Sequence, residues 1–233
     1  MPEVLSEIMS LPGGPARVEW RRSSRARRVS LRVNPADGAV IVTLPMRTGR
    51  QAGLSLLMDH ADWVAQRIAA LPQAVALSDG AEVDLHGIPH RIRHTGQSRG
   101  GVRVEGSEIL VSGGAEFLPR RVTDFLRNEA RTRLASLALQ KAAMADVHPK
   151  RVVIKDTRSR WGSCAPDRTL SFCWRLIMAP DFVQDYVVGH EVAHLRHMNH
   201  GPRFWALAET LTAHRDAADA WLKREGSRLL RVG

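Results

Sequence analysis

Along Arg27-Arg28-Val29-Ser30-Leu31-Arg32-Val33, charged or polar residues alternate with apolar ones, the two-residue period of a half-buried strand. Asn34-Pro35-Ala36-Asp37-Gly38 has the chemistry of a turn, and Ala39-Val40-Ile41-Val42-Thr43-Leu44 returns as the partner strand. Arg17 to Pro45 therefore reads as β structure. After Thr48 the period changes. Leu54, Leu57, Ala61, Val64 and Ile68 recur at helical spacing, which predicts one helix to about Leu71, just ahead of Pro72. Two hairpins are expected next. One pairs Glu82–Leu85 with His90–Arg93 around His86-Gly87-Ile88-Pro89. The other pairs Val102–Val104 with Ile109–Val111 around Glu105-Gly106-Ser107. His86, His90 and His94 read as exposed strand or turn histidines.

Gly113-Gly114 is a composition break. Beyond it, Val122, Phe125, Leu126, Ala130, Leu134, Leu137 and Ala138 form the apolar stripe of a helix from about Pro119 to Asp146. Arg151–Asp156, Arg160–Cys164 and Thr169–Trp174 read as strands, the last two joined by the turn Ala165-Pro166-Asp167-Arg168. Pro180 opens a helix that should end near His197, Pro202 opens another, and a basic amphipathic helix runs from about Asp216 to Leu230. No internal repeat, low-complexity tract or glycine-rich phosphate loop is found. The chain thus divides into a flexible lead (1–16), a β-rich domain with a helix (17–114) and a helical domain with a small sheet (115–233), an α+β protein.

Composition narrows the class. Over 233 residues, 44% hydrophobic and 25% charged content is that of a globular protein. No apolar run is long enough to cross a membrane, and the first residues lack the pattern of a signal peptide. The two cysteines, Cys164 and Cys173, form no disulfide framework and read as reduced thiols, which places the protein in the cytoplasm. Lys+Arg is 34 against 24 Asp+Glu, a net charge of +10 that is compatible with DNA contact through a basic surface. The arginines at 17, 21, 22, 25, 27, 28 and 32 read first as the solvated face of a sheet.

The chemistry is concentrated in His190-Glu191-Val192-Ala193-His194, followed after five intervening residues by His200. On a helix, His190 and His194 leave the same face one turn apart, so their rings can converge on one metal ion. Glu191 beside them is placed to take a proton from a metal-activated water. A catalytic zinc keeps three protein ligands and an open position. His197 shares the helical face but lies about 10 Å along the axis from His190, too far for the same ion. His200 reaches it if the helix ends after His194 and the chain folds back through Met198-Asn199-His200-Gly201-Pro202. His190, His194 and His200 are therefore the expected Zn2+ ligands and Glu191 the catalytic acid/base. A neighbouring strand can pair with an extended peptide, which makes Trp161 and Gly162 candidates for the substrate cleft. Arg203, Tyr186 and amides near Gly162 are candidates to stabilise the oxyanion.

Together with Arg160-Trp161-Gly162-Ser163-Cys164, Asp185-Tyr186-Val187-Val188 and Asn199-His200-Gly201-Pro202-Arg203-Phe204-Trp205, the motif resembles the bacterial YgjP-like metallopeptidases, related to the SprT-like and Wss1-like (WLM) zinc proteases. The resemblance covers most of the chain and implies a zincin-like catalytic domain carrying the H-E-x-x-H helix. Gly201 stands where many relatives would have serine. His197 replaces the glycine of the metzincin pattern, and Glu209 would be the third ligand of a gluzincin. The resemblance implies a zinc-dependent endopeptidase acting on protein or peptide substrates, and its relatives suggest DNA-associated proteins as targets. The alternatives are a nucleic-acid-binding module with a structural zinc and a metal-dependent hydrolase of a non-peptide amide.

Overall fold

The computed structural model describes residues 4–233 and is a mixed α+β fold with small sheets and six α-helices among those residues. It divides into two compact units, one up to Gln73 and one from Ala74 to Gly233.

In the first unit, β1 (Val4–Leu11), β2 (Gly14–Ser23), β3 (Ser30–Val33) and β4 (Val40–Pro45) form a sheet of order β1-β2-β4-β3. β2 and β4 run parallel, and each also pairs with its own antiparallel partner. The inward side chains Val18, Trp20, Val40, Val42 and Leu44 pack on Leu57 and Val64. Those two residues lie on α1 (Arg50–Asp59) and α2 (Ala61–Ala69), which replace the single helix expected from Thr48 to Leu71. The non-helical backbone of His60, at φ −118° and ψ 20°, divides them.

The expected flexible lead is also corrected. Residues 4–11 are β1, in register with β2 over its whole length, while residues 1–3 lie outside the described residues. Polar contacts also hold this strand. The Trp20 indole donates to Glu7 at 2.7 Å, and Arg50 pairs with the same carboxylate.

In the second unit, β5 (Glu82–Leu85), β6 (Ile88–His94), β7 (Val102–Glu105) and β8 (Glu108–Val111) make a sheet of order β5-β6-β8-β7. Its inward residues Val83, Ile92, Ile109 and Val111 join one core with α3 (Leu118–Met144). The compact units consequently part at Gln73/Ala74, whereas the sequence reading set a domain break at Gly113-Gly114. The α3 stripe Val122, Leu126, Ala130, Leu134 and Ala138 is fully buried, as a helix packed along one face requires.

Three further strands, β9 (Arg151–Lys155), β10 (Gly162–Cys164) and β11 (Thr169–Cys173), form a sheet of order β10-β11-β9, with β10 at an edge. Phe172 from β11 then meets the helices α4 (Asp181–Ala193), α5 (Pro202–Leu211) and α6 (Arg215–Leu230) in the core. Both cysteines are free; Cys164 pairs in register with Leu170 rather than with Cys173. None of the described helices is long and apolar enough to cross a membrane.

The three histidines of the β5–β6 region are not simply exposed. His90 is buried with Nδ1 2.8 Å from the Ile88 carbonyl, and His94 Nε2 lies 2.6 Å from that of Gly113. His86 adopts φ 55° at the β5–β6 turn, against Gln184 and Asp181 of α4.

Candidate metal centre

Pro180 caps α4, where its fixed φ suits entry to a helix, and Val183, Val187, Val188 and Val192 bury the inner face. From behind, Lys141 of α3 reaches Asp185 at 2.6 Å and donates to the Leu211 carbonyl at the end of α5. This nearly dry ammonium ties both helices of the centre together.

His190 and Glu191 lie in the last turn of α4, and His194 is its C-cap. The helix ends at Ala193, short of His197, and the chain turns back before Pro202 starts α5 as an N-terminal proline. Neither Asn199 nor Gly201 adopts a positive φ in this turn. The fold-back brings His200 Nε2 to 3.0 Å from His190 Nε2. Nitrogens of His190, His194 and His200 all lie within 4.8 Å of one another.

His194 Nδ1 donates to the His197 carbonyl at 3.0 Å, leaving its Nε2 free. His197 thus serves the centre through its backbone. His190 Nδ1 is buried without a partner. The Phe204 ring lies 5.0, 4.5 and 4.7 Å from the rings of His190, His194 and His200. Burial pushes His190 down to about 4, with the charges of His194, His200 and Arg215 acting in the same direction. Burial also lowers His194. Converging imidazoles with available lone pairs fit a borderline-soft divalent ion such as zinc far better than the oxygen-seeking magnesium or calcium. Glu209, the rival third ligand, is not in this cluster; it faces Arg215 at 3.9 Å.

Glu191 is only 8% exposed and packs against β10. A Cβ at Gly162 would stand 2.5 Å from Glu191 Cγ, so glycine is what lets strand and carboxylate approach. Burial raises the Glu191 carboxyl to about 7, against the opposing effects of the Arg160 charge and a hydrogen bond from the Cys164 amide. Trp161 and Gly162 line a cleft of about 230 Å³ together with Arg160, Tyr186, Val187, His190 and Glu191. Arg203 lies instead in a separate cavity of about 480 Å³ bounded by residues between 196 and 204. The Tyr186 hydroxyl is engaged with Asp219 of α6, and burial followed by that carboxylate pushes it up to about 12.

Sequence reasoning did not find the steric role of Gly162, the contact of the Cys164 amide with Glu191 or the place of Arg160. Their sequence signal was the Arg160-Trp161-Gly162-Ser163-Cys164 motif, within which only Trp161, Gly162 and nearby amides were candidates.

Three convergent imidazoles beside a buried carboxyl are the parts of a metal-dependent hydrolase site. The family model for the YgjP-like metallopeptidase domain matches residues 27–225, and the chain belongs to that family. Neither the curated proteins nor the solved structures contain a match.

Proposed function

We propose that the chain is a zinc-dependent endopeptidase in which His190, His194 and His200 would hold the metal and Glu191 is the general base. The observation that carries this is the convergence of the three histidines beside a carboxyl buried against β10. Zinc, when bound, supplies Lewis acidity toward a carbonyl and makes water a stronger nucleophile near neutral pH. The Glu191 carboxylate accepts the proton of the attacking water and returns it to the leaving amine.

Substrate positioning falls to β10. Trp161 receives the Cys173 N–H at 2.8 Å, so the alternation of an antiparallel ladder turns the main chain of Gly162 and Cys164 toward the open edge. Glu191 takes the Cys164 amide, and the Gly162 N–H and C=O are left to pair with an extended peptide. In this zincin-like arrangement the scissile bond lies beside the histidines.

The test is hydrolysis of an unfolded protein by wild type and Glu191→Gln at equal zinc content. The variant should keep its zinc and lose cleavage by about 10²-fold or more, the scale of general acid–base contributions. Undiminished cleavage would remove Glu191 from the mechanism. Action on DNA-associated proteins is supported by Arg27, Arg28 and Arg32, which carry no ion-pair partner among the described residues. DNA that neither binds at low salt nor stimulates cleavage would dismiss that refinement.

A further inference from the structure

Beside Glu191 stands a guanidinium whose charge is felt by that carboxyl but which forms no ion pair among the described residues. Arg160 is exposed, lines the cleft, and has no carboxylate within ion-pair distance among the described residues. Its basic neighbours are differently placed. Arg127 and Arg175 both bond to Asp156, at 3.0 and 2.5 Å. Arg158 also faces the Asp156 charge.

The backbone that carries Arg160 is firmly braced. Its carbonyl accepts the Thr157 hydroxyl at 2.9 Å, and the Cys173 thiol donates to the Thr157 carbonyl at 3.1 Å. Trp161 next to it packs so closely on α6 that a Cβ at Gly226 would lie 3.3 Å from its ring. A braced loop therefore presents an exposed cation with no ion-pair partner to the cleft. Trp161, Tyr186 and Val187 give the cleft an apolar lining beside His190 and Glu191, and Tyr186 and Val187 are buried. Low-dielectric walls of this kind concentrate the field of a single charge.

We propose that Arg160 is a specificity-determining residue that binds the carboxylate of an aspartate or glutamate next to the scissile bond of the substrate. The inference rests on the peptidase reading above. A guanidinium presents a planar fork of donors that matches a carboxylate, and its charge makes each hydrogen bond stronger than a neutral one. Glutamine has nearly the shape of glutamate but lacks the charge, so the pair isolates the contribution of Arg160. A hydrogen bond to a charged group predicts a preference for glutamate of about tenfold or more in kcat/KM.

The experiment uses the zinc-loaded full chain and two peptides that differ only in glutamate or glutamine beside the cleavage site. Wild type should prefer the glutamate peptide, Arg160→Gln should bring the ratio close to one, and Arg160→Lys should retain part of it. Equal rates for wild type, or a preference that survives in Arg160→Gln, would overturn the inference while the peptidase reading stands. If neither peptide is cleaved, the peptidase reading fails, and calorimetric binding of the same peptides decides the Arg160 contact by itself. Tighter binding of the glutamate peptide to wild type but not to Arg160→Gln supports it; equal binding overturns it.

Discussion

The sheets β1-β2-β4-β3 and β5-β6-β8-β7 share one topology: two antiparallel hairpins joined side by side through a parallel pair. In both, the turn of the first hairpin puts a glycine against the element packed beneath it. A Cβ at Gly13 would come within 2.2 Å of Ala65 on α2, and one at Gly87 within 2.7 Å of Pro180 at the head of α4. The difference lies in what the partner carries. α2 completes a local core, whereas α4 bears His190 and Glu191. The same scaffold is thus a self-contained fold in one place and a brace for the chemistry in the other.

The comparison is broken most strongly by emptying each core in turn. Leu57 and Leu134 are both fully buried, so alanine at either site should cost about 2–5 kcal/mol. Chemical denaturation followed by probes in each unit should show the loss in the transition of the unit that was changed. Only Leu134→Ala should weaken metal retention. Equal losses in both transitions would show that the two cores fold as one.

A sharper test uses the turns. Gly87 combines φ +77° with the contact to Pro180, whereas Gly106, at φ +57°, has open space where a Cβ would go. Gly106→Ala should cost about 1 kcal/mol, the penalty of a left-handed residue. Gly87→Ala should cost more, about 1–3 kcal/mol, because the turn must also move off α4. Equal shifts in the urea midpoint would assign the whole effect to backbone angle and none to the brace.

The smallest effects come from ion pairs. Burial by itself would raise Asp156, but the hydrogen bond and charge of Arg175, with Arg158 and Arg127, hold it below the ordinary carboxylate range. In the first unit the Arg50 and Trp20 hydrogen bonds lower Glu7 in the same way. A carboxyl lowered by folding contributes stability above its unfolded pKa of about 4, and the contribution fades as pH falls through the lower folded value. Asp156→Asn should therefore be less stable than wild type at pH 7, with the gap closing in acid. Glu7→Gln should show the same trend with a smaller gap, since its charged partner Arg50 is half exposed whereas Arg175 is buried. A gap for Asp156→Asn that widened on acidification would contradict the pairing with Arg175.

Much of the second unit was legible because its signals are local. The α3 stripe, the β5–β6 and β7–β8 hairpins and the H-E-x-x-H helix follow periodicity, turn residues and spacing. The turn that carries His200 was legible because Gly201-Pro202 marks the start of the next helix. The parallel pairings β2–β4, β6–β8 and β9–β11 join segments distant along the chain, which no short window encodes. β1 was missed because its inward positions include Glu7, whose partners Trp20 and Arg50 lie far away in sequence. The place of Gly162 depends on the close passage of two elements, a tertiary fact that leaves only an unremarkable glycine in the sequence.

The edge of β10 has one more consequence. The other outer strands carry charged residues: Glu7 on β1, Arg32 on β3, Glu82 and Asp84 on β5, Arg103 and Glu105 on β7, and Arg151 and Lys155 on β9. Such charges discourage a foreign strand from joining a sheet. β10 is Gly162-Ser163-Cys164 and has none. On the proposed reading, the protein admits loose backbone at one border and turns it away at the others. A folded protein with every strand already paired offers it nothing to hold, so the rate of its degradation would follow how often the target's own structure comes undone.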